Sequence, residues 1–101
     1  MIISFIHNGK SYVNYHTESD AFETLDILPD KKIEIVTEAK WERIRVKREP
    51  LMRDTDWTQM PDAPLSVEKK AEFTAYRQAL RDIPQTYDNP DDVIWPAKPT
   101  L

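Results

Sequence analysis

Few residues of this chain could carry chemistry, and each is judged by what accompanies it. His7 and His16 flank a short β-forming stretch. Pairing of its two strands could bring the imidazoles together, and imidazole is a common metal ligand. No further donors stand at a ligand spacing, so both histidines read as polar strand-end residues. Asp54, Asp56 and Asp62 form an acidic cluster, but the glycine turn and closing Glu of a calcium loop are missing. Paired carboxylates can do acid–base work, yet no nucleophile, oxyanion donor or glycine-rich phosphate loop accompanies them. Arg77 and Arg81 are one helical turn apart, so both guanidinium groups should leave the same helix edge beside Tyr76. Such donors grip carboxylates bidentately. The aspartate cluster offers them within the chain, and a partner's carboxylates are the other reading. With no Cys at all, disulfides, Cys-containing zinc sites and thiol catalysis drop out. The pattern predicts no catalytic residue, no metal and no cofactor.

Recognition is better represented. Trp41, Trp57 and Trp95 are three tryptophans in 101 residues. Trp57 falls in a loop and Trp95 in a proline-rich tail, where no periodicity places them. Each either pins its segment to the core or serves as a hot spot for a partner. Lys40, Arg43, Arg45, Lys47 and Arg48, with Trp41 interleaved, form a nucleic-acid footprint in miniature. Glu38, Glu42 and Glu49 dilute it, and the net charge of −4 with a pI near 5.1 argues against nucleic acid as a partner. Charge is nonetheless uneven: residues 1–30 and 54–101 are acidic, while 31–53 hold eight Lys or Arg against four Glu. A basic centre between acidic ends reads first as a solvated mixed surface, with internal complementarity or a cationic face for an acidic partner as the other readings.

These residues need elements to hold them. The length fits one domain, or one with a small appendage, and a chain of this size buries roughly 60–70% of its unfolded surface. No apolar run approaches the ~18 residues of a membrane span, and Met1 to His16 lacks the basic start and cleavage site of a secretory signal. The expectation is a soluble acidic chain that meets no membrane.

Ile2 to His7 and Lys10 to Tyr15 are rich in β-branched and aromatic residues. Asn8-Gly9 between them suits a type I′ turn, and it uses the only glycine of the chain. Thr17 to Asp20 offers N-cap side chains for a short helix over Ala21 to Leu28, which Pro29 should end. Lys31 to Thr37 alternates through Ile33 and Ile35, predicting a third strand. Glu38 to Glu49 fits a strand or a helix. Its second half favours helix, because Pro50 suits the first turn of a helix continuing through Leu51 and Met52; a helix beginning earlier would be kinked there. Residues 55–65, with Pro61 and Pro64, read as a loop. Ser66 caps a helix from Val67 to Asp82 with Phe73, Tyr76, Leu80 and Ile83 as its buried stripe. Ala71, Ala75 and Ala79 would admit a close neighbour. Pro84 should stop that helix, leaving an extended tail anchored by Val93, Ile94 and Trp95.

Arg53-Asp54-Thr55-Asp56-Trp57-Thr58-Gln59-Met60-Pro61-Asp62-Ala63-Pro64-Leu65 resembles a signature block of the phage tail assembly chaperone family. The likeness continues through Lys69 to Pro84, including Tyr76-Arg77-Gln78-Ala79-Leu80-Arg81-Asp82, and closes with Pro90-Asp91-Asp92-Val93-Ile94-Trp95-Pro96. Three blocks in order over about half the chain make the likeness specific; residues 1–40 show none. Two positions depart from the family pattern: Pro50 interrupts its Arg-rich helix, and Tyr87-Asp88-Asn89-Pro90 replaces its Gly-Phe-Pro. The resemblance implies a non-catalytic bacteriophage or prophage protein that helps assemble the tail or tail fibre in the host bacterial cytoplasm. Its partner would be a tail or tail-fibre protein. A structural tail, baseplate or fibre component retained in the virion is the alternative.

The expectation is therefore an α+β fold. A β-rich region over 1–40 holds the hairpin, third strand and short helix. A module over 41–101 packs the Trp57 loop and the Trp95 tail on helix 66–82. Trp57, Tyr76, Arg77, Arg81 and Trp95 are its candidate partner-binding or module-fixing residues, and the whole has the possibility of oligomerising.

Overall fold

The computed structural model describes residues 1–101. It is α+β, with an antiparallel hairpin followed by helices. The chain divides into two compact units, Met1–Trp41 and Glu42–Leu101.

In the first unit, β1 (Ile2–His7) pairs antiparallel with β2 (Lys10–His16). Asn8 and Gly9 turn between them with φ of 49° and 77°, the positive angles a type I′ turn requires. The register slips between Ile3 and Phe5. The extra residue lies in β2, where Asn14 takes φ 58° and donates its N–H to Ser4 Oγ at 3.0 Å. His7 faces Lys10 beside the turn, whereas His16 faces Ile2 at the open end. Antiparallel pairing thus puts the two imidazoles at opposite ends of the hairpin, each at a strand end, and does not bring them together. No group of three or more His, Asp or Glu in the chain could hold a metal ion.

One face of the hairpin is aromatic. Phe5 stacks on Tyr12 with centroids 4.9 Å apart and meets Phe22 edge-on at 6.1 Å. Phe22 comes from α1 (Asp20–Glu23), whose first turn is capped by Ser19 Oγ accepting from the Phe22 N–H. This helix is shorter than Ala21 to Leu28. Ile3, Phe22 and Ile27 are the buried apolar residues of the unit.

Past the hairpin, two expectations fail. Lys31–Thr37 is not a third strand; the sheet has two strands, and α2 runs unbroken from Pro29 to Arg53. Pro29 thus opens a helix instead of closing one, as its fixed φ and missing N–H allow at the first helical position. The alternation of Ile33 and Ile35 is misleading because Ile33 is exposed. The signal that matters is charge at helical spacing. Lys31 pairs with Glu34 at 3.1 Å, Arg45 with Glu42 at 2.7 Å and Arg53 with Glu49 at 3.9 Å, separations that only a helix makes adjacent.

The helix also runs through Pro50 instead of beginning there. A proline leaves the carbonyl four residues earlier without a donor. That residue is Val46, which is itself exposed, so water can take the place of the missing N–H. The ladder resumes at once, with Asp54 N–H donating to Pro50 O at 2.8 Å.

In the second unit, α2 ends in a 3-10 turn over Asp56–Gln59. Helix α3 (Val67–Arg81) then starts with Ser66 Oγ accepting from the Lys69 N–H at 3.1 Å. Phe73, Tyr76, Leu80 and Ile83 are buried, the stripe expected from their spacing, while Ala71, Ala75 and Ala79 are exposed. Pro84 does not end helical structure. It sits in the first turn of α4 (Ile83–Thr86), where proline is tolerated. After a 3-10 turn at Pro90–Asp92 the chain is irregular to Leu101.

Candidate recognition site

The second unit is organised by a buried arginine. Arg77 leaves α3 inward, and its side chain is only 9% exposed. Its Nη1 donates to Met52 O at 2.7 Å and to Thr55 Oγ1 at 2.9 Å, and its Nη2 meets Asp56 Oδ1 at 2.9 Å. One guanidinium thus satisfies a carbonyl at the end of α2, a hydroxyl and a carboxylate. The planar fork of arginine allows this, and an ammonium would not. Nε is buried without a partner.

Each residue from Thr55 to Gln59 has a share in the corner. The buried Thr55 hydroxyl donates back to the Leu51 and Met52 carbonyls while accepting from Arg77. Thr58, fully buried, donates to Thr55 O at 2.6 Å and so closes the 3-10 turn. Gln59 donates through Nε2 to Thr58 Oγ1, and its Oε1 accepts from Thr74 Oγ1 on α3. The Trp57 ring tilts against Phe73 at 6.3 Å, yet 40% of Trp57 is exposed, and Met60 close by in sequence is exposed as well. Buried polar groups are tolerated in folded proteins when hydrogen-bonded, and nearly all of these are. The stretch expected to be an irregular loop is a cross-linked corner.

The five residues singled out from the sequence do not share one role. Tyr76 is buried in the α3 stripe, and burial, then the nearby Asp54 charge, raise its hydroxyl pKa above the usual tyrosine value. Arg77 and Arg81 do not leave one helix edge together, as their spacing predicts. Instead Arg77 turns inward to Asp56, while Arg81 is exposed in the last turn of α3. Trp57 packs on α3 as expected. Trp95 departs from the expected packing on α3: the cation over its ring comes from α2, with Lys47 Nζ 4.4 Å from the ring centroid, a cation–π distance. The tail is steadied further by Asn89 Oδ1, which accepts from the Asp91 N–H at 2.9 Å.

Sequence reasoning misses Thr55, Thr58 and Arg48. Arg48 Nη1 donates to Leu80 O at 3.4 Å, reaching from α2 to the end of α3. A threonine in a proline-bearing stretch reads as surface, so nothing short of the 3-10 turn itself marks the first two. Arg48 is findable in principle, since it shares a helical stripe with Trp41 and Ile44.

No helix is long and apolar enough to cross a membrane. No curated protein and no solved structure matches the chain. A family model described as "Phage tail assembly chaperone protein" matches residues 41–100. That span takes in the whole corner around Arg77, α3 and the Trp95 tail. With more than half of its residues matched, the chain belongs to the phage tail assembly chaperone family.

Proposed function

We propose that this tail assembly factor works by binding a tail or tail-fibre protein through residues 41–101, acting in the host bacterial cytoplasm while tails are built. The observation that supports this reading is the corner around Arg77. Interlocked hydrogen bonds hold it in place, so the exposed part of Trp57 is presented at low entropic cost. In this reading Tyr76, Arg77 and Trp95 fix the module, while Trp57 and Arg81 face the partner. The role is recognition without catalysis.

The test is capture from infected cells with the tagged full chain, alongside Trp57→Ala and Arg81→Ala variants whose circular dichroism matches wild type. Recovery of a tail component by wild type, weakened in both variants, is expected. Recovery of no tail component, with normal tails after deletion, refutes the reading. Mass spectrometry of purified particles separates it from a structural role: a chaperone is absent from them, and a tail part is present in fixed copy number.

A further inference from the structure

The chain has three asparagines, and each is followed by a different kind of residue. Asn14 precedes the bulky Tyr15, and its N–H is held by Ser4 Oγ at 3.0 Å. Asn89 precedes Pro90, and its Oδ1 accepts from the Asp91 N–H. Asn8 precedes Gly9 at the tip of the hairpin, where both residues are exposed. The Asn8 carboxamide and the Gly9 N–H make no hydrogen bond within the chain. A Cβ placed on Gly9 would meet nothing within 4 Å, so the space around that nitrogen is open.

We propose that Asn8–Gly9 is a site of spontaneous deamidation, and that its isoaspartate product loosens the hairpin. The reaction needs only water. The Gly9 nitrogen gives up its proton and attacks Asn8 Cγ. The bond from Cγ to the side-chain nitrogen breaks, that nitrogen leaves with the proton as ammonia, and a succinimide ring remains. Water then opens the ring at either carbonyl. Attack at Cγ gives aspartate; attack at the main-chain carbonyl gives isoaspartate, whose backbone runs through Cβ and Cγ.

The following residue decides which asparagine reacts. Ring closure presses its nitrogen against Cγ, so a side chain there obstructs the approach, and glycine has none. Pro90 has no N–H to give up, which closes this route to Asn89. Asn14 meets the bulk of Tyr15 and is held in the bulge. The turn acts as a brake on Asn8, because its positive φ angles fix dihedrals that ring closure must change. Aspartate leaves the backbone as it was and tolerates positive φ much as asparagine does. Isoaspartate puts an extra backbone carbon between His7 and Lys10, which pair beside the turn, and the type I′ geometry does not accommodate it. The sheet has only two strands, and such a hairpin has little stability to spare.

The test is incubation of the full chain at mildly alkaline pH, followed by peptide mapping with mass spectrometry and enzymatic methylation to detect isoaspartate. Asn8 is expected to exchange its amide for a carboxyl about tenfold or more faster than Asn14, a raised barrier showing directly as rate, while Asn89 stays intact. Hydrogen exchange on the aged protein should show β1 and β2 losing protection in the isoaspartate fraction. A freshly purified Asn8→Asp variant, which carries the charge without the extra carbon, should keep it. An Asn8 that stays intact in the folded chain, or reacts no faster than Asn14, overturns the proposal. So does hairpin protection that is equal in the isoaspartate fraction and the Asn8→Asp variant.

Discussion

At the scale of single residues, the second unit depends on Arg77 more than on its tryptophans. Removing the guanidinium leaves the Met52 carbonyl, Thr55 hydroxyl and Asp56 carboxylate without their donor. Arg77→Ala is therefore expected to cost about 3 kcal/mol in chemical denaturation, with Arg77→Lys recovering little because an ammonium cannot span the three acceptors. A cost under ~0.5 kcal/mol would show that the corner holds without it. Asp56 itself is exposed, so its removal should matter less. Trp57 buries only part of its ring, and Trp57→Ala is expected to lower stability by roughly 1.5 kcal/mol, measured in the same way; full core-like loss would argue against an exposed recognition role. Tyr76 sets an alkaline limit. Burial first, then the Asp54 charge, raise its pKa in the folded state. Below about pH 10 both folded and unfolded chains keep the proton, and the stability it confers is complete. Above that the unfolded chain loses its proton first, so stability declines as pH climbs through the folded-state pKa. The melting temperature of Tyr76→Phe should accordingly fall less than that of wild type between about pH 9 and 11. Parallel curves would show that Tyr76 is not the group responsible.

At the scale of elements, α2 poses the sharpest question, because it is 25 residues long, holds a proline and buries no residue fully. Interior proline costs a helix about 3 kcal/mol, offset here by the lower entropy of the unfolded chain. Pro50→Ala is expected to stabilise the protein by roughly 2 kcal/mol, read as a rise in melting temperature; a fall would mean that Pro50 directs the approach to the 3-10 turn. The same helix shows where the sequence is legible. The hairpin follows from one glycine between two β-branched runs, and α3 from a serine cap and an apolar stripe, because each signal is local. In α2 the apolar signal is weak, since Ile33 and Val46 both face solvent. The i,i+3 charge pairs that reveal it look like mere composition until their spacing is weighed. The recognition corner is legible in part. The pairing of the aspartates with Arg77 follows from complementary charge, but the inward turn of Arg77 depends on Thr55 and Met52, which offer nothing in the sequence to distinguish them from any loop residues.

At the scale of the whole molecule, the division at Trp41 and Glu42 falls within α2, so the chain passes between its two cores along a helix that anchors no buried side chain. That helix is held at its ends, where Lys32 donates to Glu23 O, Met52 O accepts from Arg77 and Arg48 donates to Leu80 O. A helix that buries no side chain fully is expected to transmit little of the stability of one core to the other. Each unit should then open on its own. Leu80 is fully buried in the second unit, and Leu80→Ala is expected to cost about 3–4 kcal/mol there. Native-state hydrogen exchange is the measurement that resolves the two units. Amides of α3 should lose protection in proportion to that cost, while those of β1 and β2 keep theirs. Ile3→Ala should produce the converse, exposing the hairpin amides and sparing α3. If either substitution lowers protection in both units alike, α2 couples them into one cooperative fold. The Arg77 corner would then owe part of its rigidity to the hairpin, because opening either core would open the other.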